Sequence, residues 1–169
     1  MPVKPIVKFP DPRLRQPAEP VVQFDDDLRA VVDDIYDTML AAPGMGITGP
    51  HLGVPKRIVV IQLAATEPKR VYINPAVIWF SSDTKRHVEG SVSMPGVSED
   101  IERPASVQVR YQDVDGLEHI EDADGLLAVC LQHEIDQLDG IFWLQRLSPL
   151  RRERVVKRYQ KLQRATARG

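Results

Sequence analysis

Between Asp124 and Gly140 the chain places Leu126, Leu127, Val129, Cys130, Leu131, Ile135 and Leu138 around all sides of one helical segment. A helix that is apolar all round belongs at the centre of a domain, and an acidic lead-in before it and Gly140 after it mark its ends. The same segment reads Gln132-His133-Glu134-Ile135-Asp136-Gln137. Residues four apart share a helical face, so His133 and Gln137 stand side by side with Glu134 adjacent, a spacing suited to two metal donors beside an acid/base carboxylate. The plainer reading of an isolated His-Glu pair is a satisfied core histidine and a solvated carboxylate.

The rest of the chain supplies a core for that helix. At 169 residues, with 43% hydrophobic and 27% charged residues, it suits one globular domain spanning residues 1–169. Prolines and lysines interrupt the first ten residues where a secretory signal needs an apolar run, and no later stretch could cross a bilayer. A cytoplasmic location without membrane contact is therefore expected. The single cysteine, Cys130, excludes an internal disulfide and a cysteine-rich zinc module, and it reads as core packing. Four histidines are few, and His87 and His119, in polar stretches, receive no role.

Leu28, Val31, Val32, Ile35 and Met39 recur at helical spacing behind Asp25-Asp26-Asp27, predicting an amphipathic helix over 27–41 that Ala41-Ala42-Pro43-Gly44 ends. Residues 57–62 and 71–73 read as strands, the latter broken by Asn74-Pro75. Residues 106–111 and 117–121, joined by Asp113-Val114-Asp115-Gly116, read as an antiparallel hairpin. Short strands with helices placed between groups of them indicate an α+β fold. Residues 151–169 hold eight Arg or Lys and one Glu, a charge of +7 that leaves −9 for the remainder of a chain whose net charge is −2. This stretch reads as a basic surface helix, about 149–167, clamped by Val155, Val156, Tyr159 and Leu162.

Three blocks in order, Gly44-Met45-Gly46-Ile47-Thr48-Gly49-Pro50-His51, Glu89-Gly90-Ser91-Val92-Ser93 and Gln132-His133-Glu134-Ile135-Asp136-Gln137, resemble the peptide deformylase motifs GxGxAAxQ, EGCxS and QHExDH. The likeness extends to Phe9–Arg15, Tyr72–Pro75, Ala123–Ala128 and Leu147–Leu150, nearly the whole chain. It implies an α+β deformylase fold, with antiparallel or mixed strands around a central buried helix carrying His133-Glu134 and a C-terminal helix. The implied activity is removal of formyl groups from the N-terminal methionine of new peptides, with iron or zinc as cofactor. In the family scheme the metal ligands fall on Ser91, His133 and Gln137, general acid/base catalysis on Glu134, and oxyanion binding on His51 and the backbone N–H of Val92. Gly46 and Val92 fall on the substrate side. The basic helix resembles the one by which bacterial deformylases dock on the ribosome, where phosphate neutralisation would favour it.

The departures fall on the reacting atoms: Ser91 replaces the thiolate, Gln137 an imidazole, and His51 the oxyanion amide. A hydroxyl and an amide oxygen are weak donors to Zn²⁺ or Fe²⁺. A structural zinc centre contributes on the order of 10 kcal/mol to the metal-bound state, so these losses predict a weak or empty site and lost or much reduced deformylation. Thr48-Gly49-Pro50 replaces the paired alanines, and Pro50 removes a backbone N–H. One alternative is an active metal-dependent formyl-peptide or amide hydrolase with a site rebuilt from His133, His51 and Glu134 or Glu89. Another makes Ser91 a nucleophile activated by His133, although nothing in the spacing demands it.

Overall fold

The run Ile58-Val59-Val60-Ile61 is buried along its whole length, so helices must cover both faces of its sheet. In the computed structural model, which describes residues 3–42 and 44–168, and Arg168 by its backbone alone, that is the arrangement. Ile58 and Val60 pack with Ile47, Ile73 and the Leu28, Val32, Ile35 and Met39 stripe of helix α1 (Asp26–Ala41). Val59 and Ile61 pack on the opposite face with Ala128, Leu131, Ile135 and Leu138 of α2 (Gly125–Leu138). The two-residue period of one strand thus divides the core into two layers.

The five-stranded sheet runs β1 (Gly46–Thr48), β2 (Ile58–Ile61), β3 (Arg70–Phe80), β6 (Ser106–Gln112) and β7 (Glu118–Asp124), and all these pairings are antiparallel. A separate ribbon pairs β4 (Thr84–Ser91) with β5 (Met94–Pro104). Met94, Val97 and Ile101 of that ribbon pack with Trp143, Leu144, Val155 and Tyr159, which seats α3 (Pro149–Arg168) and the short 3-10 turn before it. This is the expected α+β architecture with a central helix and a C-terminal one.

Asp25 caps α1, its Oδ1 accepting from the N–H of Leu28 at 3.0 Å, and Asp26 and Asp27 fill the first turn. Pro43, expected to help end this helix, lies outside the described residues. Gly140, which follows α2, has φ +78°, and a Cβ there would lie 2.6 Å from the carbonyl oxygen of Arg15. Only glycine permits that close passage of the N-terminal segment.

Several boundaries differ from the sequence reading. The strand beginning at Val71 does not stop at Asn74-Pro75 but continues to Phe80 through a register shift between Ile73 and Ala76. Asn74 takes φ +52°, and its side chain replaces the interrupted ladder, accepting from Val21 N–H at 2.8 Å and donating to Val21 O at 2.9 Å and Gln112 Oε1 at 2.8 Å. The hairpin strands extend to Gln112 and Asp124, and β4 and β5 lack an apolar alternation that would have exposed them in the sequence. Leu162, assigned to the buried face of α3, is 44% exposed and lies over Gly96 at the margin of the ribbon. No described helix is long and apolar enough to cross a membrane.

Candidate active site

A cavity of about 580 Å³ opens between β1, the β4–β5 ribbon and α2. Gly46, His51, Glu89, Ser91, Val92, His133 and Glu134 line it. All three motif blocks therefore meet at one place. Gln137 does not join them: it is 1% exposed, and its Nε2 donates to the backbone carbonyl of Leu14 at 2.7 Å.

An ion network behind the cavity orients His133. Arg103 Nε and Nη2 grip Glu89 at 2.6 and 2.9 Å, while its Nη1 donates to Asp136 at 2.9 Å. Arg146 grips both oxygens of Asp136, Nε donating at 2.9 Å to the Oδ2 that Arg103 also uses and Nη2 at 2.7 Å to Oδ1. Glu89 Oε1 in turn accepts from His133 Nδ1 at 2.8 Å, leaving Nε2 directed to the Glu134 side, 3.9 Å from Oε1. Burial disfavours charge on this imidazole, but the bond to Glu89 and the proximity of Glu134 outweigh it and hold His133 above its ordinary pKa.

Glu134 is treated differently by the fold. It is buried, its Oε2 has no partner, and desolvation together with the nearby Glu89 charge pushes its carboxyl up to about 7. Gly46 supplies its space, since a Cβ there would lie 3.2 Å from the Glu134 carboxyl. His51 is equally buried, and desolvation reinforced by His133 pushes it down to about 3, so it is a neutral ring at physiological pH. Its 3.9 Å approach to Glu134 is therefore not an ion pair. Ser91 Oγ accepts from the N–H of Ser93 at 3.1 Å.

Residues 3–153 match the sequence profile of the family described as Polypeptide deformylase. The chain belongs to this family. A peptide deformylase-like protein of Brucella melitensis is 62% identical over 97% of this chain and 100% of its own length. A peptide deformylase of Phenylobacterium zucineum is 43% identical over 95% of this chain and 97% of its own length. The crystal structure of a peptide deformylase from Legionella pneumophila superposes with a TM-score of 0.92 at 36% identity, covering 99% of both chains. The deformylase fold expected from the motifs is thus the observed one.

The positions on which the resemblance places the metal ligands, Ser91, His133 and Gln137, carry a hydroxyl, an imidazole and an amide in this chain. Position 91 offers a hydroxyl in place of a thiolate, and the Gln137 amide is turned to Leu14. His133 Nε2 is the one strong donor among the three positions that the resemblance assigns to metal ligands. Among the described residues, no group of three or more His, Cys, Asp or Glu side chains is arranged to hold a metal ion. Cys130 lines the cavity but offers no ready thiolate, because burial and then the Glu134 and Glu89 charges push its thiol up to about 12.

Sequence reasoning named the motif residues, Thr48 among them without its bonds to His51, but missed Arg103 and Arg146. Arg103 carries no local signal, being one charge among several on an irregularly patterned strand. His87 remains without an assigned role, while His119, also left unassigned, pairs with Asp113 at 2.8 Å and stacks on Tyr111.

Proposed function

We propose that this deformylase-family protein retains a cavity for a formylated peptide N-terminus while metal-dependent removal of the formyl group is lost or much reduced. The observation that carries the reading is the engagement of Gln137 with Leu14, which takes a family ligand position out of the cavity. Glu134, held half-protonated near neutral pH, and the neutral His51 remain as hydrogen-bonding groups on the cavity wall. They suit recognition of an uncharged amide, with Gly46 and the backbone of Val92 beside it. No step is assigned to Ser91 as a nucleophile, because its Oγ faces the Ser93 amide and makes no hydrogen bond to His133.

A second reading is a hydrolase with a metal centre rebuilt from His133, His51 and Glu134. Its support is that the Glu134 carboxyl lies 3.9 Å from a nitrogen of each ring. Metal content distinguishes the two. Protein purified anaerobically without chelators is assayed for bound iron and zinc, for formyl-Met peptide binding and for its hydrolysis. The first reading expects binding without stoichiometric metal or turnover, and metal uptake in the double variant Ser91→Cys, Gln137→His. Stoichiometric metal with turnover abolished by Glu134→Ala would overturn it.

Contact with ribosomal RNA is a further part of this proposal, resting on the family resemblance of the basic helix. Arg151, Arg152 and Arg158 bind the protein's own carbonyls or carboxylates. Arg154, Lys161 and Arg164 are exposed and make no ion pair among the described residues, which leaves cationic surface for phosphates. Salt-sensitive cosedimentation with ribosomes, reduced by replacing those three residues, is the expected result.

A further inference from the structure

Two substitutions in the first motif are physically coupled. Thr48 stands where GxGxAAxQ has its first alanine and His51 where it has glutamine. The backbone N–H of Thr48 donates to His51 Nδ1 at 3.0 Å, and the Thr48 hydroxyl lies 3.0 Å from the same nitrogen. The N–H of His51 donates back to Thr48 Oγ1 at 3.3 Å. Both side chains are fully enclosed, Thr48 at 0% and His51 at 1% exposure.

A nitrogen that accepts an N–H bond carries no proton of its own, so the neutral ring holds its proton on Nε2. That Nε2–H is buried and has no partner in the fold, although His51 lines the cavity. Unmade buried hydrogen bonds are costly, and one on a cavity wall is a donor reserved for a ligand. Glu134 Oε2, also unpartnered, lies 3.9 Å from Nδ1 of the same ring.

We propose that Thr48 is the positioning residue that holds His51 in its Nε2–H tautomer, so that the cavity presents one fixed neutral donor to the carbonyl oxygen of an uncharged amide. The ligand half of this inference rests on the peptide-binding reading above, whereas the tautomer half does not. Without the hydroxyl, one of two groups converging on Nδ1 is gone, and the ring gains freedom to turn or to exchange its proton between nitrogens.

The test uses the full chain with ¹⁵N-labelled histidine, in wild type, Thr48→Val and Thr48→Ser. Wild type is expected to show His51 with Nε2 protonated and Nδ1 as acceptor. Thr48→Val is expected to shift both nitrogens toward averaged values and to weaken formyl-Met-Ala binding about fivefold to tenfold, with Thr48→Ser restoring both. If valine disturbs packing, seen in the other three histidine signals, Thr48→Ala makes the same comparison. An unchanged His51 pattern in the hydroxyl-free variants would overturn the positioning role, because the backbone N–H alone would then fix the ring. Failure of wild type to bind formyl-Met-Ala would overturn the ligand half and the peptide-binding reading together, with the ¹⁵N pattern still deciding the role of Thr48.

Discussion

The Gln137 side-chain amide donates to the carbonyl of Leu14 at 2.7 Å, joining the central helix to a 3-10 turn 123 residues earlier in the chain. Leu14 is itself 1% exposed and belongs to the core under α3, so the bond fastens the N-terminal segment from inside. The position on which the family resemblance places a metal ligand thus carries a structural tie. An imidazole placed there to reach a metal would give up that tie.

Removing the amide therefore costs stability. Gln137→Ala leaves a buried carbonyl unsatisfied and a small void, a loss of about 2–3 kcal/mol. For a domain of this size that lowers the midpoint of thermal unfolding by roughly 5–10 °C. Hydrogen exchange should quicken around residues 12–16. A variant as stable as wild type, with unchanged exchange there, would show that the tie contributes nothing.

Arg103 provides a harder test of the network behind His133. It pairs with two buried carboxylates, Glu89 and Asp136, from two different elements. Arg103→Met leaves Glu89 to His133 alone and Asp136 to Arg146 alone, and breaking a buried pair in this way costs about 3–5 kcal/mol. Arg103→Lys should recover only part, because an ammonium cannot match the two-pronged grip on Glu89. Urea unfolding of the two variants measures this, and equal stability of Arg103→Lys and wild type would refute the geometric argument.

Sequence patterning revealed the parts of this molecule governed by local periodicity. The α1 stripe, the apolar run of β2 and the enclosed α2 were legible because burial imposes a period of 3.6 or 2 on the residue types themselves. The β4–β5 ribbon was not, since Glu89, Arg103 and Glu99 make alternating charge look like surface while ion pairing lets two of them sit inside. Asn74-Pro75 misled for a related reason: a side chain can stand in for a missing ladder bond, and composition cannot show it. At the site, the motif residues were legible by resemblance. The direction in which Gln137 points was not, because it depends on a carbonyl 123 residues away.

His51 should make the protein acid-sensitive. Its folded pKa is about 3 against an ordinary 6.5, so between those values the unfolded chain takes up a proton that the folded one refuses. Stability is fully present above pH 6.5 and falls as pH drops toward 3, by up to about 1.4 kcal/mol per pH unit from this group. His51→Gln removes that contribution. The stability difference between variant and wild type should therefore move in the variant's favour as pH is lowered from 6.5 to 4, and a constant difference would contradict the neutral buried ring.

Glu134 acts in the opposite sense. Its folded pKa of about 7 lies above the ordinary 4.5, so the folded state holds the extra proton between those values, and stability falls as pH rises through the window. The full displacement amounts to about 3 kcal/mol of penalty at pH 8, the cost of a carboxylate whose Oε2 meets no donor. Glu134→Gln keeps the shape and cannot ionise. Relative to wild type it should gain little below pH 4 and about 3 kcal/mol above pH 8, read from denaturant titrations across that range. Metal bound beside Glu134 would stabilise its charged form and erase the gain. A flat difference accompanied by stoichiometric metal would thus favour the rebuilt centre, whereas a rising difference in metal-free protein supports a cavity that keeps its carboxyl poised at neutral pH.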